Sequence, residues 1–426
     1  MEAGCSNALI LTDKPSNNLS MENGKKEIVN LYHDLIPQEE IVEPKRKKKS
    51  FSIGIPRETS FQENRIALVP DAVGMLCQNG HTVFVENEAG KSSRFSNSEF
   101  SEAGAIIKYT PEEIYQSDII IKVAPPALYE IDMMQKGQTL FSIMDMMNQS
   151  AEYYRKLSRK KITAIAFELM KDRSGIFPVK KAMSEIAGNT SIIIAAEYLS
   201  HSKFGKGYML GGFSGITPTE IVIIGAGTVA EFAARSAIGF GAMVKIFDNN
   251  LYKLRSIQEK LNTRVFTSII QPRVLLKSLK TADVLIGALH SNEGRTQCVV
   301  TEDMVSQMKK GSVIIDVCID QGGCVETSKI TNHANPVFQK YEVTHYCVPN
   351  IASRVPCTAS YALSNFLAPI LLQIADDGGI QEALSIKQWL RYGVYLLNGI
   401  LTNKIVGDYF KLPYQDINLL FNAFDL

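Results

Sequence analysis

Residues 220–250 constrain the fold of this chain more than any other stretch. They read EIVIIGAGTVAEFAARSAIGFGAMVKIFDNN, an apolar run into Gly225-Ala226-Gly227, a helix-length segment, and a second apolar run ending at Asp248. An order of strand, glycine turn, helix and strand is typical of a dinucleotide-binding βαβ unit. The sequence therefore predicts a doubly wound α/β domain around this stretch.

The residues of this turn have distinct predicted roles. Gly225 permits the tight turn, and Gly227 lets the backbone approach a pyrophosphate. The helix that opens at Thr228 and Val229 offers free N–H groups and the positive end of its dipole to the same phosphates. Ala230 stands at the third glycine position, which needs only a small side chain for helix–strand packing.

Asp248 indicates which dinucleotide is bound. It lies 23 residues after Gly225, where an acidic side chain can bind the ribose hydroxyls of the adenosine. This favours NAD, although Lys253 and Arg255 follow about one helical turn later and leave NADP open. We count Lys253 among the candidate cofactor contacts. The alternative is a doubly wound domain whose glycines only make a turn.

Length and composition exclude several classes of protein. The chain has 426 residues, of which 45% are hydrophobic and 21% charged, and its formal net charge is +1. These values predict a soluble globular protein of two or three domains with no preference for nucleic acid. Seven cysteines without paired spacing indicate reduced thiols and a cytoplasmic location. No uninterrupted apolar window is long enough for a membrane span.

The chain divides into an extension and two predicted domains. Residues 1–50 are polar and end in a basic run, which predicts a disordered N-terminal extension with one short helix near residues 28–35. Residues 51–178 and 357–426 are predicted to form a substrate domain, and residues 179–356 the NAD-binding domain. The predicted fold class is α/β, with two doubly wound, Rossmann-like domains, a cleft between them, and C-terminal helices returning to the first.

Short apolar runs alternate with helical patterns from Phe51 onward. Besides the two strands of the glycine-turn unit, we predict strands at residues 52–55, 82–85, 119–123, 139–143, 163–167, 264–267, 284–287, 312–316 and 343–346. We predict helices at residues 70–78, 150–159, 179–199, 359–377 and 386–401. No strand is expected after Pro356, so the tail must pack on structure formed earlier in the chain.

Four strings resemble the alanine dehydrogenase and pyridine-nucleotide transhydrogenase family. They are IGIPRE at 53–58, NRIA at 64–67, MSEIAG at 183–188 and DVCIDQGGC at 316–324, and the last is closer to the dehydrogenases. The resemblance extends from about residue 51 to 375. It implies two domains with a cleft, NAD bound on the second, hydride transfer involving the imine of pyruvate and ammonia, and a homo-oligomer.

The resemblance also implies roles for particular residues. Arg65 matches the arginine that holds the substrate carboxylate, and Asp320 matches the aspartate beside the nicotinamide. Ser184 and Asn350 match positions close to the cofactor, where hydroxyl and amide groups suit pyrophosphate and carboxamide contacts. Alone, each of these two would more often be a cap or turn residue.

Two catalytic positions of the family are occupied by other residues in this chain. The family's substrate lysine corresponds to Ala124, and its catalytic histidine corresponds to Asp145. A carboxylate at Asp145 can perform acid–base work if partial desolvation raises its pKa, or it can be a solvated loop acid. Lys122 lies one pleat behind Ala124, where it either reaches the cleft or closes the domain interface. The candidate catalytic residues are therefore Asp145, Asp320 and Lys122.

No metal is predicted. Cys318, Cys324 and His345 are potential ligands, but their spacing matches no closed zinc pattern. The sequence thus predicts an NAD-dependent oxidoreductase that converts L-alanine or another small L-amino acid to its 2-oxo acid. Two alternatives remain: a soluble transhydrogenase-type NAD(H)-binding subunit, which needs no substrate lysine or histidine, and a catalytically silent NAD-binding protein.

Overall fold

A computed structural model describes residues 48–172, 174–291 and 294–424 of the protein. The described residues belong to one compact unit. The predicted disordered extension and its short helix near residues 28–35 lie outside the described part, which begins at Lys48.

The strands follow the predicted order of apolar runs, and each predicted strand is found within two residues of its expected bounds. The strands are β1 Ser52–Ile55, β2 Thr82–Glu86, β3 Ile106–Lys108, β4 Ile119–Ile121, β5 Thr139–Ser142, β6 Thr163–Ala166, β7 Glu220–Ile224, β8 Met243–Phe247, β9 Phe266–Ser268, β10 Val284–Gly287, β11 Val313–Asp316, β12 Val337–Lys340, β13 Val343–Tyr346, β14 Val394–Leu397 and β15 Ile400–Leu401. The prediction missed β3 and β12, and it also missed β14 and β15, which follow Pro356, where no strand was expected.

The helices separate these strands. The α-helices are α1 Pro70–Gln78, α2 Asn97–Glu102, α3 Pro111–Ile114, α4 Leu128–Met133, α5 Ala151–Arg159, α6 Pro178–Ser200, α7 Thr228–Gly239, α8 Leu251–Leu261, α9 Pro272–Thr281, α10 Glu302–Ser306, α11 Pro356–Asp376, α12 Ile380–Ile386, α13 Gln388–Arg391, α14 Lys404–Phe410 and α15 Ile417–Phe424. Short 3-10 helices lie at Lys91–Ser93, Met146–Asn148, Phe167–Leu169, Val317–Gln321 and Ile351–Arg354.

Both sheets are doubly wound. The first is eight-stranded, in the order β15-β14-β6-β5-β4-β1-β2-β3, and the second is seven-stranded, in the order β12-β13-β11-β10-β7-β8-β9. Strands β1 to β6 are parallel, and so are β7 to β11 with β13. The order reverses between β1 and β4 in one sheet and between β7 and β10 in the other. The predicted fold class is confirmed.

Two long helices connect the sheets. Helix α6 leads from the first sheet to the second and packs against α7 so closely that a Cβ added at Gly188 would lie 2.5 Å from the carbonyl oxygen of Val229. This approach, which only glycine allows, fixes the middle of α6 beside the start of α7. Helix α11 leads back to the first sheet.

Helix α11 is long and apolar enough to cross a membrane by length and composition, alone among helices of the described residues. Its apolar face is nevertheless part of the core of the first sheet, where Leu363, Leu367, Leu371 and Ile374 are buried. This packing is that of a core helix in a folded domain. The return of the C-terminal helices to the first domain is as predicted.

The predicted helix at residues 386–401 is wrong in its second half. Strands β14 and β15 form an antiparallel hairpin there, and β14 extends the first sheet by pairing antiparallel with β6. Asn398 and Gly399 make the turn, with φ of 49° and 84°. Two-residue hairpin turns require such positive φ values, which Asn-Gly adopts readily. The overlooked signal was this dipeptide between two apolar runs.

Replacing Gly399 with alanine should destabilise the protein more than replacing Gly137. Both glycines have a φ of 84°, but a Cβ at Gly399 would lie 2.4 Å from the carbonyl oxygen of Ser158, whereas a Cβ at Gly137 would meet no described atom within 4 Å. Left-handed backbone alone costs about 1–2 kcal/mol, and overlap adds about 1–3 kcal/mol. Urea unfolding of both variants measures the difference, and equal losses would contradict the prediction.

Candidate active site

The predicted site residues gather where the strands of both sheets end. Gly225 follows β7, Asp248 follows β8, Asp320 follows β11 and Asp145 lies three residues after β5. Ligands of doubly wound sheets bind at the carboxyl ends of the strands, at the point where the strand order reverses. These four residues therefore lie at the ligand-binding edges of the two sheets.

The glycine turn leaves open space before helix α7. Gly225 has a φ of 113°, and a Cβ there would lie 2.3 Å from the carbonyl oxygen of Ala288, so only glycine fits. A Cβ at Gly227 would meet no described atom within 4 Å. The first N–H groups of an α-helix have no partner within the helix. No side chain of the described residues caps α7, so these N–H groups are available to a ligand. This arrangement fits the diphosphate of a dinucleotide.

Asp248 ties the end of β8 to the glycine turn. Its side chain accepts hydrogen bonds from the backbone N–H groups of Ala226, at 2.8 Å, and Asn250, at 2.7 Å. A carboxylate oxygen can accept a second bond, so binding of ribose hydroxyls by Asp248 stays compatible with these contacts. Lys253 and Gly227 line a cavity of about 370 Å³ beside this turn.

Replacing Gly227 with alanine should weaken NADH binding, whereas replacing Gly239 should not. The two glycines lie at opposite ends of α7, and an added Cβ meets no described atom at either position. The methyl group at Gly227 would occupy the space that a diphosphate needs, which we expect to raise the Kd for NADH about 10-fold or more, or about 1.4 kcal/mol. Calorimetric titration measures the Kd, and thermal melting should show both variants folded. Equal Kd values would contradict the prediction.

A central cavity of about 320 Å³ brings residues of both sheets together. Its lining includes Arg65, Ser184, Val229, His290, Asp320 and Asn350. Five of these six were candidates from the sequence. His290 was not, although it lies three residues after β10, at the same distance as Asp145 after β5. Burial lowers the pKa of His290, which favours its neutral form.

Arg65 is held in a buried ion pair. Its Nε donates to Oε1 of Glu63 at 2.7 Å, and its Nη2 donates to Oε2 at 2.6 Å. Nη1 contacts the sulfur of Met183 at 3.4 Å. A guanidinium has five N–H groups, so the bonds to Glu63 orient the arginine and leave donors for a further carboxylate.

Asn350 links this ion pair to Asp320. Its backbone N–H donates to Oδ1 of Asp320 at 3.0 Å, and its side-chain amide donates to Glu63 at 3.1 Å. The Asp320 side chain is open to the cavity, but protein surrounds it on its other sides. Burial therefore raises its pKa to about 6, although the hydrogen bond from Asn350 and the charge of Arg65 both lower this pKa. Arg65 and Asp320 thus stand in one connected polar network.

A second cavity, of about 670 Å³, adjoins the first and includes a residue that the sequence analysis missed. Arg65, Ser184 and His290 line both cavities, and Glu168, Lys180 and Thr228 line the second. Burial raises the pKa of Glu168 to about 7. Glu168 follows β6 much as Asp145 follows β5, so the rule that selected Asp145 would also have selected it.

Asp145 is not among the residues that line either cavity. Its φ is 40°, and the amide of Asn148 donates to both carboxylate oxygens, at 3.0 and 3.1 Å. Burial raises its pKa, and its charge raises the pKa values of Asp320 and Glu168. These couplings indicate three neighbouring acids. A catalytic role for Asp145 stays a prediction.

Lys122 does not reach the cleft, which corrects the expectation that it might. Its side chain is fully buried, with Nζ 2.6 Å from Glu130 and 4.0 Å from Glu58. Glu58 also accepts the backbone N–H groups of Val123 and Ala124. The lysine therefore pairs with Glu130 and lies close to Glu58 inside the first domain, in contacts with other elements that the strand pattern alone did not reveal.

Asp316, Cys318 and Cys324 have potential metal-ligand atoms within 4.8 Å of one another. Hydrogen bonds explain this cluster, because the thiol of Cys318 donates to Asp316 at 3.1 Å and Ser328 donates to the same carboxylate at 2.7 Å. The hydrogen bond with Cys318, together with burial, raises the pKa of Cys324 well above its usual value. These hydrogen bonds account for the close approach of the side chains, and we assign no metal to them.

A further cavity, of about 450 Å³, lies at the other edge of the first sheet. Asp118, Thr139 and Thr163 line it, where β4, β5 and β6 begin. Since ligands of such sheets bind at the carboxyl ends of the strands, this cavity is not the candidate active site.

Comparisons with known proteins agree with this geometry. Residues 54–187 match the family model for the N-terminal domain of alanine dehydrogenase/PNT, and residues 191–404 match the model for its C-terminal domain. Alanine dehydrogenase of Staphylococcus saprophyticus is 37% identical over 366 residues, which cover 86% of this chain and 98% of the relative. Alanine dehydrogenase 2 of a Staphylococcus aureus strain is 38% identical over 368 residues, with the same coverage.

Solved structures lead to the same family. An L-alanine dehydrogenase superposes with a TM-score of 0.79 and 35% identity, covering 84% of this chain and 99% of that one. A transhydrogenase from Sinorhizobium meliloti, at 22% identity and a TM-score of 0.70 over 83% of this chain and 99% of that one, shares the fold. The protein therefore belongs to the alanine dehydrogenase and pyridine-nucleotide transhydrogenase family.

Proposed function

We propose that the protein is an NAD-dependent dehydrogenase that reversibly deaminates L-alanine, or another small L-amino acid, to the 2-oxo acid. The observation that carries this proposal is the cavity shared by Arg65 and Asp320 beside the open glycine turn. The relatives named alanine dehydrogenases, at 37% identity over almost their whole length, support the reaction.

NAD is the proposed cofactor, and bound NAD supplies the hydride acceptor. The open space at Gly227 and the uncapped start of α7 suit its diphosphate. We propose that Thr228 and Val229 contact this diphosphate and that Asp248 binds the adenosine ribose, with Lys253 beside it. Ser184 and Asn350, which line the central cavity, are proposed to contact the nicotinamide half.

Arg65 is proposed to bind the substrate carboxylate. Glu63 holds the guanidinium in place through two short hydrogen bonds, so little rotamer entropy remains to be lost on binding. Planar, bidentate contacts between arginine and carboxylates are among the strongest polar contacts in proteins. Ile143, Met183 and Leu363 add an apolar wall to the adjoining cavity, which suits a small aliphatic side chain.

Asp320 is proposed to accept a proton from the substrate amino group or to stabilise the positive charge that develops on its nitrogen. The amino group must be neutral before a hydride can leave the adjacent carbon, and positive charge then develops on the nitrogen as the imine forms. With a pKa of about 6, Asp320 is mostly ionised at neutral pH and can accept a proton or stabilise that charge.

We further propose that the protein acts in the cytoplasm as a homo-oligomer. Each cysteine in the described residues is free, as suits a reducing compartment. Tyr208, Met209, Phe213 and Ile216 are all more than half exposed within one loop, which supports an apolar contact with a second copy. Sedimentation of the purified chain measures the subunit count, and a monomer at micromolar concentration would contradict the oligomer.

A substrate screen tests the proposed function. Purified protein is incubated with NAD and a panel of L-amino acids, and with NADH, ammonium and the matching 2-oxo acids, while NADH absorbance is followed. Turnover should be highest with L-alanine and pyruvate or a close aliphatic pair. Protein that binds NADH but turns over no member of the panel would exclude the dehydrogenase. Hydride exchange with NADP in that case would instead favour the transhydrogenase-type subunit.

A further inference from the structure

The candidate active site lacks the lysine and the histidine that the resemblance implies, but it contains two other groups that can do similar work. Ala124 and Asp145 stand where the resemblance implies a substrate lysine and a catalytic histidine. A new acid–base pair lines the larger cavity together with Arg65: Glu168 from the short helix after β6 and Lys180 from the first turn of α6. This pair again combines one cation with one group that can exchange protons.

Glu168 has the surroundings of a proton-exchanging group. Its Oε1 accepts the backbone N–H of Met144 at 2.9 Å, which fixes the carboxyl group. Its Oε2 is buried and has no hydrogen-bond partner among the described residues. A buried carboxyl oxygen without a partner is costly, so a structural role alone does not account for it.

Lys180 is the complementary cation. It forms no salt bridge with any residue that the structure describes, and its amino group lies over the ring of Phe177, 5.0 Å from the ring centre. Its charge lowers the pKa values of both Glu168 and His290, so the ammonium group is near both. It is therefore available to a ligand in the cavity.

We propose that Glu168 is the acid–base group for hydrolysis of the imine and that Lys180 binds the oxygen atom that enters the product. This inference rests on the proposed function and assigns its proton chemistry to residues outside the family strings. Asp145 is the competing candidate, but unlike Glu168 it is not among the residues that line either cavity.

The hydrolysis balances with this assignment. The Glu168 carboxylate removes a proton from water as the water oxygen bonds to the carbon of the protonated imine that hydride transfer leaves. The electron pair of the carbon–nitrogen double bond moves to nitrogen, which yields a carbinolamine with a neutral amino group. Protonated Glu168 then returns that proton to the amino nitrogen. The carbon–nitrogen bond breaks as the hydroxyl oxygen forms the carbonyl, and the hydroxyl proton leaves with ammonia as ammonium. The Lys180 ammonium donates a hydrogen bond to this oxygen throughout.

Pre-steady-state kinetics of Glu168→Gln test the proposal. Glutamine keeps an acceptor for Met144, so melting temperature and the Kd for NADH should remain those of the wild type. Steady-state kcat should fall about 10²–10⁴-fold, the usual contribution of a general acid–base group. Because hydride transfer precedes hydrolysis, about one NADH per site should still form in a rapid burst.

The pH profile distinguishes Glu168 from Asp145. The wild-type kcat/KM should fall as the pH drops through about 7, where Glu168 takes up a proton. This acidic limb of the pH profile should disappear in Glu168→Gln. In Asp145→Asn it should persist but move to lower pH, because a charge that raises the pKa of Glu168 is lost. In Lys180→Met it should move to higher pH, because the cation that lowers the pKa is lost. Lys171→Met is the matched control, since Lys171 also lies over the Phe177 ring, at 5.3 Å, and should leave the limb in place.

Each outcome is decisive. Wild-type kcat in Glu168→Gln, a slow variant without a burst, or loss of the limb in Asp145→Asn alone would overturn the assignment while the proposed function stands. Wild-type protein without turnover on any amino acid would overturn both the assignment and the proposed function.

Discussion

Replacing Asp320 with asparagine is expected to lower kcat for amino acid oxidation by about 10²–10⁴-fold. Asparagine keeps an oxygen that can accept the backbone N–H of Asn350, a bond of 3.0 Å in the wild type. The change therefore removes the charge and the proton acceptor but leaves the local hydrogen bond. Steady-state kinetics with L-alanine and NAD measure the effect.

The same variant should alter two pH dependences in predictable directions. Activity that requires ionised Asp320 is complete above pH 6 and falls as the pH drops through about 6, so this part of the profile should vanish in Asp320→Asn. A carboxyl group whose pKa is raised on folding destabilises the folded state once it ionises. The free energy of unfolding of Asp320→Asn should therefore equal or exceed that of the wild type above pH 6.

Asp303→Asn is the control for this prediction. Asp303 is exposed on α10, away from the cavities, and its replacement should leave kcat and the pH profile unchanged. If Asp320→Asn kept kcat within about twofold of the wild type, a general acid–base role for Asp320 would be excluded.

The parts of this molecule that depend on local sequence could be predicted. The turn from Gly225 to Gly227 and the strands around it follow from residues close together in the chain, and so did the positions of most other strands. The Asn398-Gly399 hairpin was equally local, but a long apolar run at that point also fits a helix. Length and apolar content therefore outweighed the turn dipeptide in the prediction, and the hairpin was missed.

The parts that depend on distant residues could not be predicted in the same way. Lys122 was placed near the cleft from strand alternation, but Glu58 and Glu130 approach it from other elements and bury it. Glu168 and Lys180 line the same cavity only because α6 begins beside the end of β6. Chain position gives the edge of the sheet at which a residue lies, whereas charge pairing and cavity shape arise from tertiary packing.

Replacing Arg65 with lysine is expected to raise the KM for L-alanine about 100-fold or more, with a smaller effect on kcat. Lysine retains one positive charge for the buried Glu63, but its ammonium cannot form the two parallel bonds that now measure 2.6 and 2.7 Å and also bind a substrate carboxylate bidentately. Loss of charge-assisted bonds at about 1.5–3 kcal/mol each accounts for the change in KM. Arg235→Lys, which alters a salt bridge with Glu231 on the partly exposed side of α7, should change neither KM nor kcat.

The direction of the KM change also tests how the carboxylate is bound. If Arg65 only stabilised Glu63, its replacement by lysine would lower the free energy of unfolding and leave KM unchanged. An arginine that also binds the substrate changes both quantities, because the same planar group makes both contacts. An unchanged KM in Arg65→Lys would indicate that another cation of the cavity binds the substrate carboxylate. Lys180 is then the first candidate, and Lys180→Met should raise KM in its place.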